Sequence, residues 1–223
     1  MFKRLDNVLT PAELQQIRAL LAGATFEDGA ATAGNAARNV KRNLQATGQQ
    51  PQTEQARRLV NEALVRNDDF LQFALPFRVL PPIFSRYEAG MTYGEHTDNP
   101  IMGRDPPVRT DVALTLFLVS PADYDGGELV IDVDTDPKRI KLPPGSAVVY
   151  PATTLHRVEP VTRGQRLAAV TWVQSVVRDA ARRDVLADLA TALRGMRGST
   201  TNARETQLIA KTRANLMRMW ADV

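Results

Sequence analysis

Two histidines occur in the 223 residues, His96 within Tyr93-Gly-Glu-His96-Thr-Asp98-Asn99 and His156 within Thr154-Leu-His156-Arg157. Side chains alternate faces along an extended strand, so the spacing predicts that His96 and Asp98 point the same way while Thr97 points oppositely. With His156 from a distant strand they would make a two-His, one-carboxylate set, which occupies one face of an octahedral metal and leaves the other open for reactants. His-x-Asp alone is a weak signal, because short patterns arise by chance and a lone histidine is more often a surface or hydrogen-bonded residue. The combination weighs more. No histidine is spent elsewhere, both stand in strand-like contexts, and Arg166 follows ten residues after His156.

Iron(II) suits imidazole and carboxylate donors, and a facial triad leaves room for a chelating 2-oxo acid and for dioxygen. A 2-oxo diacid needs a cation at its far carboxylate. Arg166 is the candidate, because it begins a predicted strand over 167–174 and a planar guanidinium fork binds a carboxylate through two parallel hydrogen bonds. Arg157 adjoins a ligand and is sent to the opposite face, and Arg163 falls in a predicted turn over 161–164. Tyr87 lies on a strand entering the same site and can hydrogen-bond the co-substrate, although a strand tyrosine is packing at least as often.

The elements that must position these residues change character along the chain. Thr10-Pro11-Ala-Glu13 reads as a capped helix start, with Leu14, Ile17 and Leu21 as its buried stripe and Gly23 at its end. Residues 29–50, rich in Ala, Gly, Asn and Gln, read as a solvated loop or hairpin rather than a binding loop. Helical spacing returns over 53–66 through Ala56, Leu59, Val60, Ala63 and Leu64, and Asn67 caps a short third helix. From 77 to 174 the period shortens to eight predicted strands: 83–87, 94–98, 111–118, 128–131, 139–142, 147–150, 156–158 and 167–174. Turns such as Asp125-Gly-Gly127 and Pro143-Pro-Gly145 punctuate them. So many short strands predict a barrel or double-sheet jelly roll. After Val177 helical spacing resumes, with a stripe of Val185, Leu186, Leu189, Leu193 and Met196, then a helix capped by Asn202 and Glu205 that carries Leu208, Leu216 and Trp220. The expected organisation is a domain over 1–177, its jelly-roll core at about 77–177, and a helical extension over 178–223 that packs on the barrel or on a partner subunit as a homo-oligomer.

Composition bounds the function. There are no cysteines, so disulfides, thiolate metal sites and cysteine nucleophiles are excluded. No apolar run approaches a membrane span, and the first residues lack a signal-peptide core, so the expected compartment is cytoplasmic. The net charge of +3 is concentrated in residues 178–223, which hold nine Lys/Arg against five Asp/Glu. Those arginines are spaced like solvated helix faces with few interleaved aromatics, which argues against nucleic acid as a partner.

Several segments together resemble the bacterial PKHD-type hydroxylases, the prolyl/lysyl-hydroxylase-like branch of the iron(II)- and 2-oxoglutarate-dependent dioxygenases. They are Phe84-Ser-Arg-Tyr87-Glu-Ala-Gly90, His96-Thr-Asp98-Asn99, Arg109-Thr-Asp111, Asp123-Tyr-Asp-Gly-Gly-Glu128-Leu, Leu142-Pro-Pro-Gly145, Leu155-His156-Arg-Val-Glu-Pro-Val-Thr-Arg-Gly164 and Arg166 through Ser175. The similarity extends to Thr32-Ala-Gly34, to Lys41-Arg-Asn43-Leu-Gln45 and to Val177-Arg-Asp179, and so covers most of the chain. Arg42 departs from the asparagine usual there. The resemblance implies a double-stranded β-helix, iron(II) held by His96, Asp98 and His156, and the far carboxylate of 2-oxoglutarate held by Arg166. It also implies hydroxylation of an unactivated C–H bond with dioxygen, giving succinate and carbon dioxide, and by analogy a use of L-ascorbate. Lys41, Asn43, Gln45 and Asn99 are the expected substrate rim, for a peptidyl or small-molecule substrate that includes metabolites linked to iron uptake. Two other readings stand beside it: a zinc-dependent hydrolase built on the same triad, and a non-catalytic small-molecule-binding barrel.

Overall fold

A computed structural model describes residues 2–32, 38–103, 105–132, 136–196 and 203–222. In chain order the elements are β1 (Lys3–Leu5), α1 (Pro11–Ala22), β2 (Phe26–Asp28), β3 (Lys41–Arg42), β4 (Leu44–Ala46), α2 (Pro51–Val65), α3 (Asp68–Ala74), β5 (Pro76–Val79), β6 (Ile83–Tyr87), β7 (Thr92–His96), β8 (Ile101–Met102) and β9 (Val108–Arg109). They continue with β10 (Val112–Phe117), β11 (Tyr124–Gly126), β12 (Leu129–Ile131), β13 (Lys138–Ile140), β14 (Ala147–Pro151), β15 (His156–Val158), β16 (Val161–Gly164), β17 (Arg166–Ser175), α4 (Ala180–Gly195) and α5 (Ala203–Trp220).

Two sheets face each other. The larger has eight strands in the order β1-β14-β10-β17-β6-β4-β2, with β5 also on β17, and the smaller runs β13-β12-β15-β7-β3. This is the expected mainly-β jelly roll with flanking helices. The period of two decides what each strand touches. On β10, Val112, Leu114 and Leu116 pack outward under the N-terminal helices with Ile17, Leu21, Val60, Leu64 and Phe70. Ala113 and Phe117 turn inward between the sheets, joining Leu129, Ile131, Val148 and Tyr150. On β17 the odd positions Leu167, Ala169 and Val173 join the helical side, while Arg166, Val170 and Trp172 line the interior.

The helices form where their signals predict. Thr10 and Glu13 make a reciprocal capping box at α1, and the Asn67 side chain accepts from the Phe70 N–H at α3. The second helix begins at Pro51, two residues before the predicted start, with proline in its first turn. Asn202 lies outside the described residues, so its predicted cap does too. The tail helices lie against α3 and the exit of β17 through Leu75, Val177 and Leu186, with Leu216, Met217 and Trp220 over them.

Three expectations need correction. Residues 41–46 are more than the expected solvated loop or hairpin: β4 pairs antiparallel with β2 and also with β6, and β3 pairs with β7, so this segment contributes to both sheets. The 161–164 stretch is strand β16, paired with β11, rather than a turn. Finally, β7 ends at His96, so Asp98 lies beyond the strand and alternation alone does not place it.

Candidate metal centre and pocket

His96 and His156 are brought together by the ladder itself, since they stand directly opposite in the β7–β15 register. Beyond them the register shifts, with Val158 opposite Tyr93, so three steps on β7 match two on β15. That bulge turns both Tyr93 and His96 inward. Their rings stack with centroids 3.6 Å apart at 19°. Gly94 in the bulge permits the close approach of Val40: a Cβ there would lie 2.7 Å from the Val40 side chain.

Each histidine is oriented by its own strand. His96 Nδ1 donates to the Gly94 carbonyl at 2.8 Å, and His156 Nδ1 donates to the Thr154 carbonyl at 3.0 Å. A carbonyl can only accept, so Nδ1 carries the proton and Nε2 presents its lone pair. Asp98 Oδ1 lies 3.9 Å from His156 Nε2. One donor atom from each of His96, Asp98 and His156 falls within 4.8 Å of the others, a set able to hold a metal ion.

Electrostatics fit the same use. Burial, reinforced by the neighbouring His156, holds the His96 pKa down to about 3, so this ring is neutral at ordinary pH. Burial pushes the Asp98 carboxyl up, with His156 opposing. A divalent cation among them would favour the ionised carboxylate.

Around these groups lies a pocket of about 800 Å³, part of it open to solvent. Arg166 stands at its wall, 1% exposed and directly opposite Tyr87 in the β17–β6 register. Its guanidinium carbon is 5.1 Å from the Tyr87 ring centroid and 5.6 Å from that of Phe117. Gly127, just after β11, lies close to its stem, since a Cβ there would sit 3.2 Å from Arg166 Cδ. Burial raises the Tyr87 pKa, with Arg166 opposing, so the phenol stays an O–H donor. Arg166 Nε and Asp98 Oδ2 are both buried without a well-formed hydrogen bond among the described residues, with the Tyr124 hydroxyl beside Arg166 and the Trp172 indole beside Asp98. Buried polar atoms left short of a full hydrogen bond are costly, and a carboxylate at the first and a cation at the second would relieve that cost. The residues therefore fit iron(II) and a 2-oxo diacid.

Of the expected rim, Lys41, Asn43, Gln45 and Asn99 all line the pocket. Lys41 sits over the Tyr93 ring, 5.1 Å from its centroid, and burial lowers its pKa to about 8 against the pull of Asp28 and Asp98. Arg157 faces away, as alternation requires, toward Glu95, Asp132 and Glu159. Arg163 pairs with Asp125 on the surface. Pocket residues that pattern reading did not single out include Tyr93, Thr115, Tyr150 and Trp172. The spacing of Trp172, six residues after Arg166 on one strand, was a usable signal, since an even separation shares a face. Thr115 and Tyr150 lie on strands buried on both faces, where hydrophobicity does not tell inside from outside.

Comparison with known proteins gives this arrangement relatives. The family model described as the 2OG-Fe(II) oxygenase superfamily matches residues 82–174. A PKHD-type hydroxylase of Gloeothece citriformis is 49% identical over 222 residues, covering 100% of both chains. Among solved structures, a Pseudomonas putida prolyl-4-hydroxylase aligns with a TM-score of 0.52 at 20% identity, covering 78% of this chain and 92% of the other. A prolyl hydroxylase of Trichoplax adhaerens, in complex with a hypoxia inducible factor oxygen degradation domain peptide fragment, aligns at 0.57 and 18% identity, covering 78% and 83%. These two show likeness of fold.

Proposed function

The chain belongs to the PKHD-type hydroxylases of the 2OG-Fe(II) oxygenase superfamily, and from that premise we propose that it hydroxylates an unactivated C–H bond of a peptidyl or small-molecule substrate. The balanced reaction takes substrate, dioxygen and 2-oxoglutarate to hydroxylated substrate, succinate and carbon dioxide. His96, Asp98 and His156 would hold iron(II), and Arg166 with Tyr87 would hold the far carboxylate of 2-oxoglutarate. When bound, the iron supplies the redox chemistry that couples dioxygen reduction to decarboxylation and C–H oxidation.

The chain's own groups orient and exclude. The Gly94 and Thr154 carbonyls keep both Nε2 lone pairs aimed inward, and Arg166 fixes which end of the diacid points away from the histidines. Lys41, Asn43, Gln45 and Asn99 are assigned to the rim that meets the substrate. The peptide held by the Trichoplax adhaerens enzyme supports keeping peptidyl substrates in view. Residues 1–177 are assigned to the catalytic domain and 178–223 to a helical extension packed against it.

One observation carries this reading: a buried arginine whose Nε–H makes no well-formed hydrogen bond among the described residues, in the same pocket as two histidines and a carboxylate. A zinc hydrolase or a simple binding barrel leaves that arginine without a task. The test is to add iron(II) and then 2-oxoglutarate anaerobically, look for the weak visible charge-transfer band of a chelated 2-oxo acid, then admit oxygen and assay succinate. A band followed by slow succinate formation is expected. Absence of the band, with tight zinc binding instead, would overturn the proposal.

A further inference from the structure

Asp98 is the member of the metal set that no ladder holds. His96 and His156 fix each other across β7 and β15, but β7 stops at His96 and Asp98 lies two residues into the following coil. A coil residue has many backbone conformations open to it, whereas a metal ligand needs its position held within about 0.5 Å.

The Arg109-Thr110-Asp111 segment restrains that coil. The buried Thr110 donates twice, its N–H to the Pro100 carbonyl at 3.0 Å and its hydroxyl to the Asn99 carbonyl at 2.5 Å. These are the first two carbonyls after Asp98. The tie continues in β8–β9, with Ile101 opposite Arg109 and Met102 opposite Val108. Thr110 is itself anchored on both sides. Arg109 donates from Nε to Asp111 Oδ1 at 2.8 Å and from Nη2 to the Ser175 carbonyl at 3.1 Å. Asp111 Oδ2 accepts from the Ser175 N–H at 2.9 Å, and the Asp111 N–H donates to the Val173 carbonyl at 2.9 Å. Ser175 and Val173 belong to β17, the strand that also carries Arg166.

We propose that Thr110 is a positioning residue for Asp98: its hydroxyl and amide stand in for the missing strand ladder, and Arg109 and Asp111 moor it to β17. The metal carboxylate and the arginine clamp are thereby referenced to one strand, which keeps the distance between the two ends of the co-substrate site constant. This rests on the reading of His96, Asp98 and His156 as metal ligands.

The test uses the full chain with cobalt(II) as probe, followed by calorimetry and visible absorption. Thr110→Val removes the hydroxyl at nearly constant volume and should weaken cobalt binding about tenfold, the low end of what outer partners of metal ligands contribute. Thr110→Ser, which keeps the hydroxyl, should bind as the native chain does. In an Asp98→Ala background the Thr110→Val change should produce no further loss, because the ligand it positions is gone. Arg109→Gln, at a side chain 21% exposed, offers a second route if Thr110→Val does not fold: its loss of cobalt affinity should likewise vanish with Asp98→Ala. An equal loss in both backgrounds, or native affinity in Thr110→Val, overturns the proposal. Cobalt binding indifferent to His96→Ala would instead overturn the metal reading, and this proposal with it.

Discussion

Arg166→Met should separate co-substrate binding from folding. The native guanidinium is 1% exposed, and its Nε makes no well-formed hydrogen bond among the described residues. Two parallel charge-assisted hydrogen bonds to a carboxylate are worth about 1.5–3 kcal/mol each, so losing both removes roughly 3–6 kcal/mol from 2-oxoglutarate binding. At about 1.4 kcal/mol per decade the affinity should fall at least a hundredfold. Arg166→Lys keeps the charge but not the fork and should fall roughly half as far on the logarithmic scale. The folded protein without ligand should behave oppositely. Methionine fills similar length between the Tyr87 and Phe117 rings, and replacing an incompletely partnered buried charge by an apolar side chain is often neutral or stabilising. The assay is anaerobic calorimetric titration of 2-oxoglutarate into the cobalt-loaded chain, beside urea unfolding of the metal-free chain. Cobalt affinity is the internal control, because Arg166 is outside the His-Asp-His set. Affinity for 2-oxoglutarate within about threefold of native would refute the clamp, and a large loss of metal-free stability would mark Arg166 as a structural charge instead.

His96 should make the metal-free fold acid-sensitive. Its pKa is about 6.5 in the unfolded chain and about 3 when folded, so between these values the unfolded state binds the extra proton and stability falls as pH drops. From pH 7.5 to 5.5 that is about 1.4 kcal/mol by linkage, and His96→Gln should lose correspondingly less in parallel urea titrations; equal acid sensitivity would contradict a buried neutral ring. Leu186 is wholly buried between the tail and the barrel with Leu75 and Val177, so Leu186→Ala should destabilise by about 2–5 kcal/mol. A loss under about 1 kcal/mol would show that the tail adds little to the barrel's stability.

The features legible in the sequence were those set by residue type and short spacing. Residue type and short spacing point to His96, Asp98, His156 and Arg166, which the structure brings to one pocket, and the capping box at Thr10 and Glu13 is a local hydrogen-bond pattern that forms as written. Long-range partners were not legible. Lys41 through Ala46 carry weak strand propensity, and they form β3 and β4 because β7 and β6 offer them ladders from residues 40 to 52 positions away. The same limit hid the true support of Asp98. Alternation along one imagined strand gave the right neighbours for His96 and Asp98 by the wrong cause, since the strand stops between them and Thr110 takes over. A His-x-Asp pair is therefore only as good a ligand pair as the segment that holds its second residue. On the proposal above that segment is Arg109-Thr110-Asp111, whose part is played through hydrogen bonds to backbone carbonyls and so leaves no ligand spacing in the sequence.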